Sequence, residues 1–234
     1  VVVLTVSLLS AGMAILLYRL LGYLSKNPTD QLWVTLFYSL GTLAFPYSIL
    51  FFSHQVVAVF LFTGFYILYR IFRENSLLPI KTVIIGLVVS GFLGGLAVVT
   101  ENPAGIGFIG LLGYAFFQLK KKNQIGYFLL GSVIPVLLVM PYNYACFGSP
   151  LSLGYHHESL PFFNQKMSEG FMGITYPKWD AVWGITFSPY RGLFFYSPIL
   201  LFAIPGFYFL FRDKLFRKET LFLFIMMFLI RTKP

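Results

Sequence analysis

The stretch Lys81-Thr82-Val83-Ile84-Ile85-Gly86-Leu87-Val88-Val89-Ser90-Gly91-Phe92-Leu93-Gly94-Gly95-Leu96-Ala97-Val98-Val99, followed by Thr100-Glu101-Asn102-Pro103, decides the fold. It carries no charge between Lys81 and Glu101. A membrane-spanning helix needs about 20 mostly apolar residues, and this run supplies them. Working outward gives about eight stretches of the same kind: 1–22, 32–52, 54–72, 81–99, 103–119, 125–146, 193–211 and 219–230. The second and third are separated only by Ser53-His54, which predicts a tight helical hairpin. The expected fold is all-α: a polytopic transmembrane bundle (1–146), one long outer loop (147–192) and further spans (193–234).

Composition agrees. The 234 residues are 58% hydrophobic and 11% charged, with a mean hydropathy of +0.79. Soluble domains are about 45–50% apolar and about 25% charged. One water-soluble core cannot hide this much apolar surface, so a soluble enzyme is excluded, as is disorder. The +9 net charge would suggest nucleic acid in a soluble protein. Here the basic residues gather at the ends of spans, so no nucleic-acid partner is expected. The lone Cys146 forms no internal disulfide and says nothing firm about redox compartment. The chain opens within an apolar run and closes just after another, which reads as a fragment of a larger membrane protein.

The charges test the division. Arg19 and Lys26 follow the first span, and Arg70, Arg73 and Lys81 lie between the third and fourth. Lys120, Lys121 and Lys122 separate the fifth and sixth; Arg212, Lys214, Arg217 and Lys218 separate the seventh and eighth. These alternate loops hold 12 of the 17 basic residues, and the positive-inside rule makes them cytoplasmic. The long loop then faces outward. Its aromatic, Gly- and Pro-rich sequence includes Trp179 and Trp183, whose spacing fits one face of a short interfacial helix.

The candidate site residues lie on the outer side. His54 ends the first hairpin and can hydrogen-bond a phosphate or a sugar hydroxyl, or act as a cap or interfacial residue. Glu101 stands alone between apolar runs, as a ligand for a cation, sugar or basic partner, or as an N-cap-like acid before Pro103 as the first residue of the next helix, with Asn102 the better cap of the two. His156, His157 and Glu158 form part of a solvated loop or hydrogen-bond a substrate; a divalent metal suits them less, because adjacent residues rarely converge on one ion. Ser188-Pro189-Tyr190-Arg191-Gly192 places one Arg at the mouth of a helix, where its fork could grip a phosphate or its charge could snorkel to lipid headgroups. Nucleotide-binding, metalloprotease and nucleophile-elbow motifs are absent from the sequence.

Four segments, in order, carry a resemblance. They are Gly41-Thr42-Leu43-Ala44-Phe45-Pro46-Tyr47-Ser48 running into Phe52-Ser53-His54; Thr100-Glu101-Asn102-Pro103; Tyr142-Asn143-Tyr144-Ala145-Cys146-Phe147-Gly148-Ser149-Pro150 with Gly154-Tyr155; and Ser188 to Pro198. Together they resemble the C-type multi-pass glycosyltransferases of bacteria, near the protein mannosyltransferase and aminoarabinose transferase families. The resemblance implies a hexosyl- or pentosyl-type transferase in the bacterial inner membrane, with the long loop on the periplasmic or extracellular side. Its donor would be a sugar on a polyprenyl phosphate; its acceptor, a protein, lipid or glycan. Arg191, His54 and Lys178 would meet the donor phosphate. Glu101, Tyr155, His156, His157, Glu158 and Tyr190 would line the substrate. The family's catalytic acid sits in the first outer loop, expected upstream of Val1, so neither Glu101 nor Glu158 is given that role. The other classes weighed are a secondary transporter or lipid flippase, which should bury ionisable groups within its spans, and a non-catalytic scaffold of an envelope-assembly complex.

Overall fold

The computed structural model describes residues 1–74, 77–150, 179–213 and 219–221, and every regular element among them is helical. Helix α1 runs over Val3–Leu21, its first turn wound as a π-helix over Val3–Ser7. It is followed by α2 (Pro28–Gly41), α3 (Ala44–Ser48), α4 (Ser53–Arg73), α5 (Ile80–Thr100), α6 (Gly105–Gln118) and α7 (Ile125–Phe147). Beyond residues 151–178 come α8 (Trp179–Thr186), α9 (Leu193–Tyr196) and α10 (Ala203–Arg212). Helices α1, α4, α5 and α7, the last with its leading turn from Lys122, are long and apolar enough to cross a membrane. They occupy the stretches expected as spans at 1–22, 54–72, 81–99 and 125–146.

The expected count of about eight spans is not met among the described residues. The stretch 32–52 breaks after Gly41. Thr42 is extended (φ −126°, ψ 175°), and its hydroxyl donates to Tyr38 O at 2.6 Å while accepting from the Ala44 N–H at 3.1 Å. One side chain thus closes α2 and starts α3, a local bond that competes with a continuous helix. The stretch 103–119 yields only the 14 residues of α6, about 21 Å of helix. The stretch 193–211 is broken at Ser197 (φ −140°, ψ 65°), because the residue before a proline is pushed out of the helical region. The stretch 219–230 lies outside the described residues beyond Leu221. Hydropathy counted apolar residues and missed these backbone interruptions.

The bundle is built around α5, with α4 on one side and α7 on the other. A Cβ on Gly91 would run into the Phe128 carbonyl, one on Gly95 into that of Ser132, and one on Gly131 into that of Val88. The α5 and α7 backbones therefore touch. Lipid tails are as apolar as Leu, so helices in a membrane associate through such close packing and through interhelical hydrogen bonds. One of these is Ser90 Oγ donating to Gly64 O at 2.9 Å, which ties α5 to α4. Leu68, Leu87 and Phe128 are fully buried in this seam, with Phe65, Tyr69 and Tyr114 around them. Ile109, Leu130, Leu137 and Leu138 point outward. Such a surface would aggregate in water and is well solvated by lipid.

Helices α1 and α4 are parallel and α5 antiparallel to them. Thr5, Ser53 and Thr100 meet at one pole, and Arg19 and Arg70 at the other. The poles are separated by most of α4, about 25 Å from His54 to Arg70.

Candidate functional site

At the first pole the α3–α4 junction turns the chain back into the bundle. Phe52 is extended, and Ser53 and His54 open α4. The α5 helix ends at Thr100, and Glu101 is extended (φ −147°, ψ 118°) before the short turn Asn102–Ala104. The Glu101 side chain caps neither element. Its Oε1 lies 2.6 Å from His54 Nδ1 and also accepts from Ser53 Oγ. Two residues that are 47 positions apart in the sequence thus form one carboxylate–imidazole pair. Glu101 stands at the cap position between the two elements, its backbone N–H donating to Ala97 O and its carbonyl accepting from the Ala104 N–H, while its carboxylate pairs with His54.

The geometry orients the imidazole. Glu101 is shielded, with 16% of its side chain exposed, while His54 is 66% exposed. The carboxylate holds Nδ1 and leaves Nε2 as the nitrogen able to meet a ligand. Phe52 stacks nearly parallel to the His54 ring at 6.4 Å, and Tyr47 of α3 flanks it at 6.3 Å. The ring is therefore fixed by a carboxylate and framed by two aromatics.

The neighbours of this pair line a cavity of about 400 Å³, walled by Val6, Leu9, Phe51, Phe52, Val56 and Phe60. Its polar members do not present free donors. Thr5 donates to Val1 O, Thr100 to Leu96 O, and Ser53 to Glu101. The space is consequently apolar, and two of its wall residues, Phe52 and Ser53, contact the His54–Glu101 pair.

Arg191 sits on a tight turn. The Gly192 N–H donates to Ser188 O at 2.7 Å, and the Tyr190 N–H to Ser188 Oγ at 3.1 Å. A Cβ at Gly192 would run into this turn's backbone, so the close return requires glycine. Arg191 lies over the Tyr190 ring, 5.1 Å from its centroid, and both side chains are exposed. Among the described residues Arg191 makes no ion pair or side-chain hydrogen bond, with His54 and Glu101 or otherwise. Its turn is nonetheless anchored to the same pole. Ser197, fully buried, accepts from the Leu43 N–H at 3.0 Å, and α3 then carries Tyr47 to His54.

The expected helix around Trp179 and Trp183 is present as α8, with both indoles exposed. Phe187 packs on Trp183 and Phe194, joining α8 to α9. Lys178, Tyr155, His156, His157 and Glu158 lie outside the described residues. Among the described residues no three His, Cys, Asp or Glu side chains converge as metal ligands. Sequence reasoning missed Ser53 as a partner of Glu101 and missed the cavity. The Ser directly before His54 was the available signal for the first; the second depends on how α1 and α4 pack.

No protein-family model matches the chain, and neither does any curated protein or solved structure.

Proposed function

We propose that this chain belongs to a membrane glycosyltransferase that moves a sugar from a polyprenyl-phosphate carrier to an acceptor hydroxyl at the outer face of a bacterial inner membrane. The observation that supports this reading is the His54–Glu101 pair, whose chain neighbours Phe52, Ser53 and Thr100 line an apolar cavity. A lipid-linked sugar phosphate needs both surfaces at once. Its isoprenoid chain takes an apolar space, and its phosphate takes a hydrogen-bond donor at headgroup depth. His54, oriented through Nδ1, offers Nε2 to a phosphate oxygen. Arg191 offers a guanidinium fork that makes no ion pair or side-chain hydrogen bond among the described residues.

In the reaction the acceptor oxygen attacks the anomeric carbon and gives up its proton to a base. The bond from that carbon to the phosphate oxygen breaks, and the polyprenyl phosphate leaves with the bonding electrons. Charge grows on the phosphate as this happens, and preorganised donors there lower the barrier. The acceptor is a hydroxyl of a protein, lipid or glycan.

The test is transfer from a radiolabelled polyprenyl-phosphate sugar by the full-length protein in proteoliposomes. Arg191→Ala should lower turnover by about 10²-fold or more, as loss of a transition-state donor does. His54→Ala should lower it by at least about tenfold, and Glu101→Gln in the same direction. Unchanged rates in all three variants would overturn the assignment. Movement of the lipid across the bilayer without sugar transfer would favour a flippase instead.

A further inference from the structure

The second pole holds a cavity of another kind. It has a volume of about 420 Å³ and lies between the end of α1, the start of α2 and the end of α4. Arg19 comes from α1 and Tyr23 from the turn after it, Gln31 from α2, and Tyr66 and Arg70 from α4 with Glu74 directly after its end.

Its charge balance is uneven. Among the described residues that line it Glu74 is the one carboxylate, and both of its oxygens are engaged: Tyr23 Oη donates to Oε1 at 2.5 Å and Arg70 Nε to Oε2 at 3.1 Å. The Gln31 amide nitrogen is spent on Ser25 O at 2.7 Å. Arg19 has no side-chain hydrogen bond or ion pair among the described residues, and Arg70 uses only Nε, leaving its two terminal nitrogens. Two guanidiniums against one satisfied carboxylate leave a surplus positive charge and a set of unspent, forked N–H donors. Planar forks of this kind match phosphate oxygens. Both arginines stand in the last turn of a helix long and apolar enough to cross a membrane, the part of such a helix that meets the headgroups. Basic pockets between spanning helices at that depth suit anionic headgroups.

We propose that this Arg19–Arg70 cavity is a binding site for a phosphate group, at the opposite pole from the His54 pair and independent of it. The phosphate belongs either to a lipid headgroup or to a water-soluble anion, and the two sources are separable. Arg70 is already oriented by Glu74, and Arg19 closes on the ligand from α1. Binding therefore joins the ends of α1 and α4.

The experiment uses the full-length protein in detergent micelles, delipidated and titrated by native mass spectrometry with phosphatidylglycerol and, separately, with inorganic phosphate. The variants are Arg19→Gln and, as a control, Lys26→Gln, which removes an exposed charge outside the cavity. Arg19→Gln should weaken binding by about tenfold, the worth of one charged hydrogen bond, and Lys26→Gln should leave it near wild type. If this contrast appears with phosphatidylglycerol, the source is lipid. If it appears with inorganic phosphate alone, the source is soluble. Equal binding by wild type and both variants, or equal losses in the two variants, would overturn the proposal. Should Arg19→Gln fail to fold, Arg19→Lys keeps the charge, loses the fork and is read in the same way.

Discussion

At the scale of single residues, two carboxylates organise the two poles, and each is paired with a ring. Glu101 holds His54; Glu74 holds Tyr23 and Arg70. The Tyr23–Glu74 contact carries a pH signature. Burial and the bond to Glu74 push the Tyr23 phenol up to about 12, and the Tyr23 hydroxyl holds the Glu74 carboxyl below its usual range. A lowered acid stabilises the fold above its unfolded pKa, and that contribution is lost as pH falls through the folded value. A raised phenol stabilises below its unfolded pKa and loses this as pH rises through about 12. The contact therefore contributes fully between about pH 5 and pH 10, the range bounded by the ordinary carboxyl and phenol values. Tyr23→Phe should cost about 1 kcal/mol there, a hydrogen bond to a carboxylate discounted for partial exposure. Thermal unfolding in detergent at pH 7 should resolve the difference, and at acid pH below the Glu74 titration it should shrink. At the other pole, Glu101→Gln and His54→Ala should be non-additive in the transfer assay: once the imidazole is gone, the carboxylate has nothing left to orient. A double variant as slow as the product of both single losses would separate the two residues.

Among elements, the α5–α7 seam sets the architecture. Gly91, Gly95 and Gly131 permit backbone contact where any Cβ would collide with a carbonyl. Gly91→Val should cost about 1–3 kcal/mol through overpacking, whereas Ser90→Ala, which loses the bond to Gly64, should cost about 0.6 kcal/mol. Chemical denaturation in mixed micelles can rank the two, and a reversed order would mean that polar contacts dominate this bundle. The apolar runs that became α1, α4, α5 and α7 were legible from length and hydropathy alone. The breaks at Thr42 and Ser197 were not, since they arise from a side-chain bond to the backbone and from the residue before a proline. The spacing of Gly91 and Gly95 was visible in the quoted stretch, but its partner surface on α7 was not.

For the whole molecule, the alternation of basic and non-basic loops gives an expected sidedness. In a Cys146→Ser background, Trp179→Cys should react with a membrane-impermeant maleimide from the outer face. Lys26→Cys should react only after permeabilisation. Labelling of both from the same side would overturn the positive-inside orientation. By itself the sequence determined the helical class and the runs that became helices long and apolar enough to cross a membrane, because hydropathy is summed along the chain and needs no knowledge of packing. It also offered His54, Glu101 and Arg191 as separate candidates. Only the tertiary structure decided that His54 and Glu101 are one unit and that Arg191 stands on its own turn. It alone placed an apolar cavity beside the pair and a basic one at the opposite pole. Those features depend on which helix ends meet across the bundle, and that is set by the close approach of helices whose contacts lie tens of residues apart in the chain.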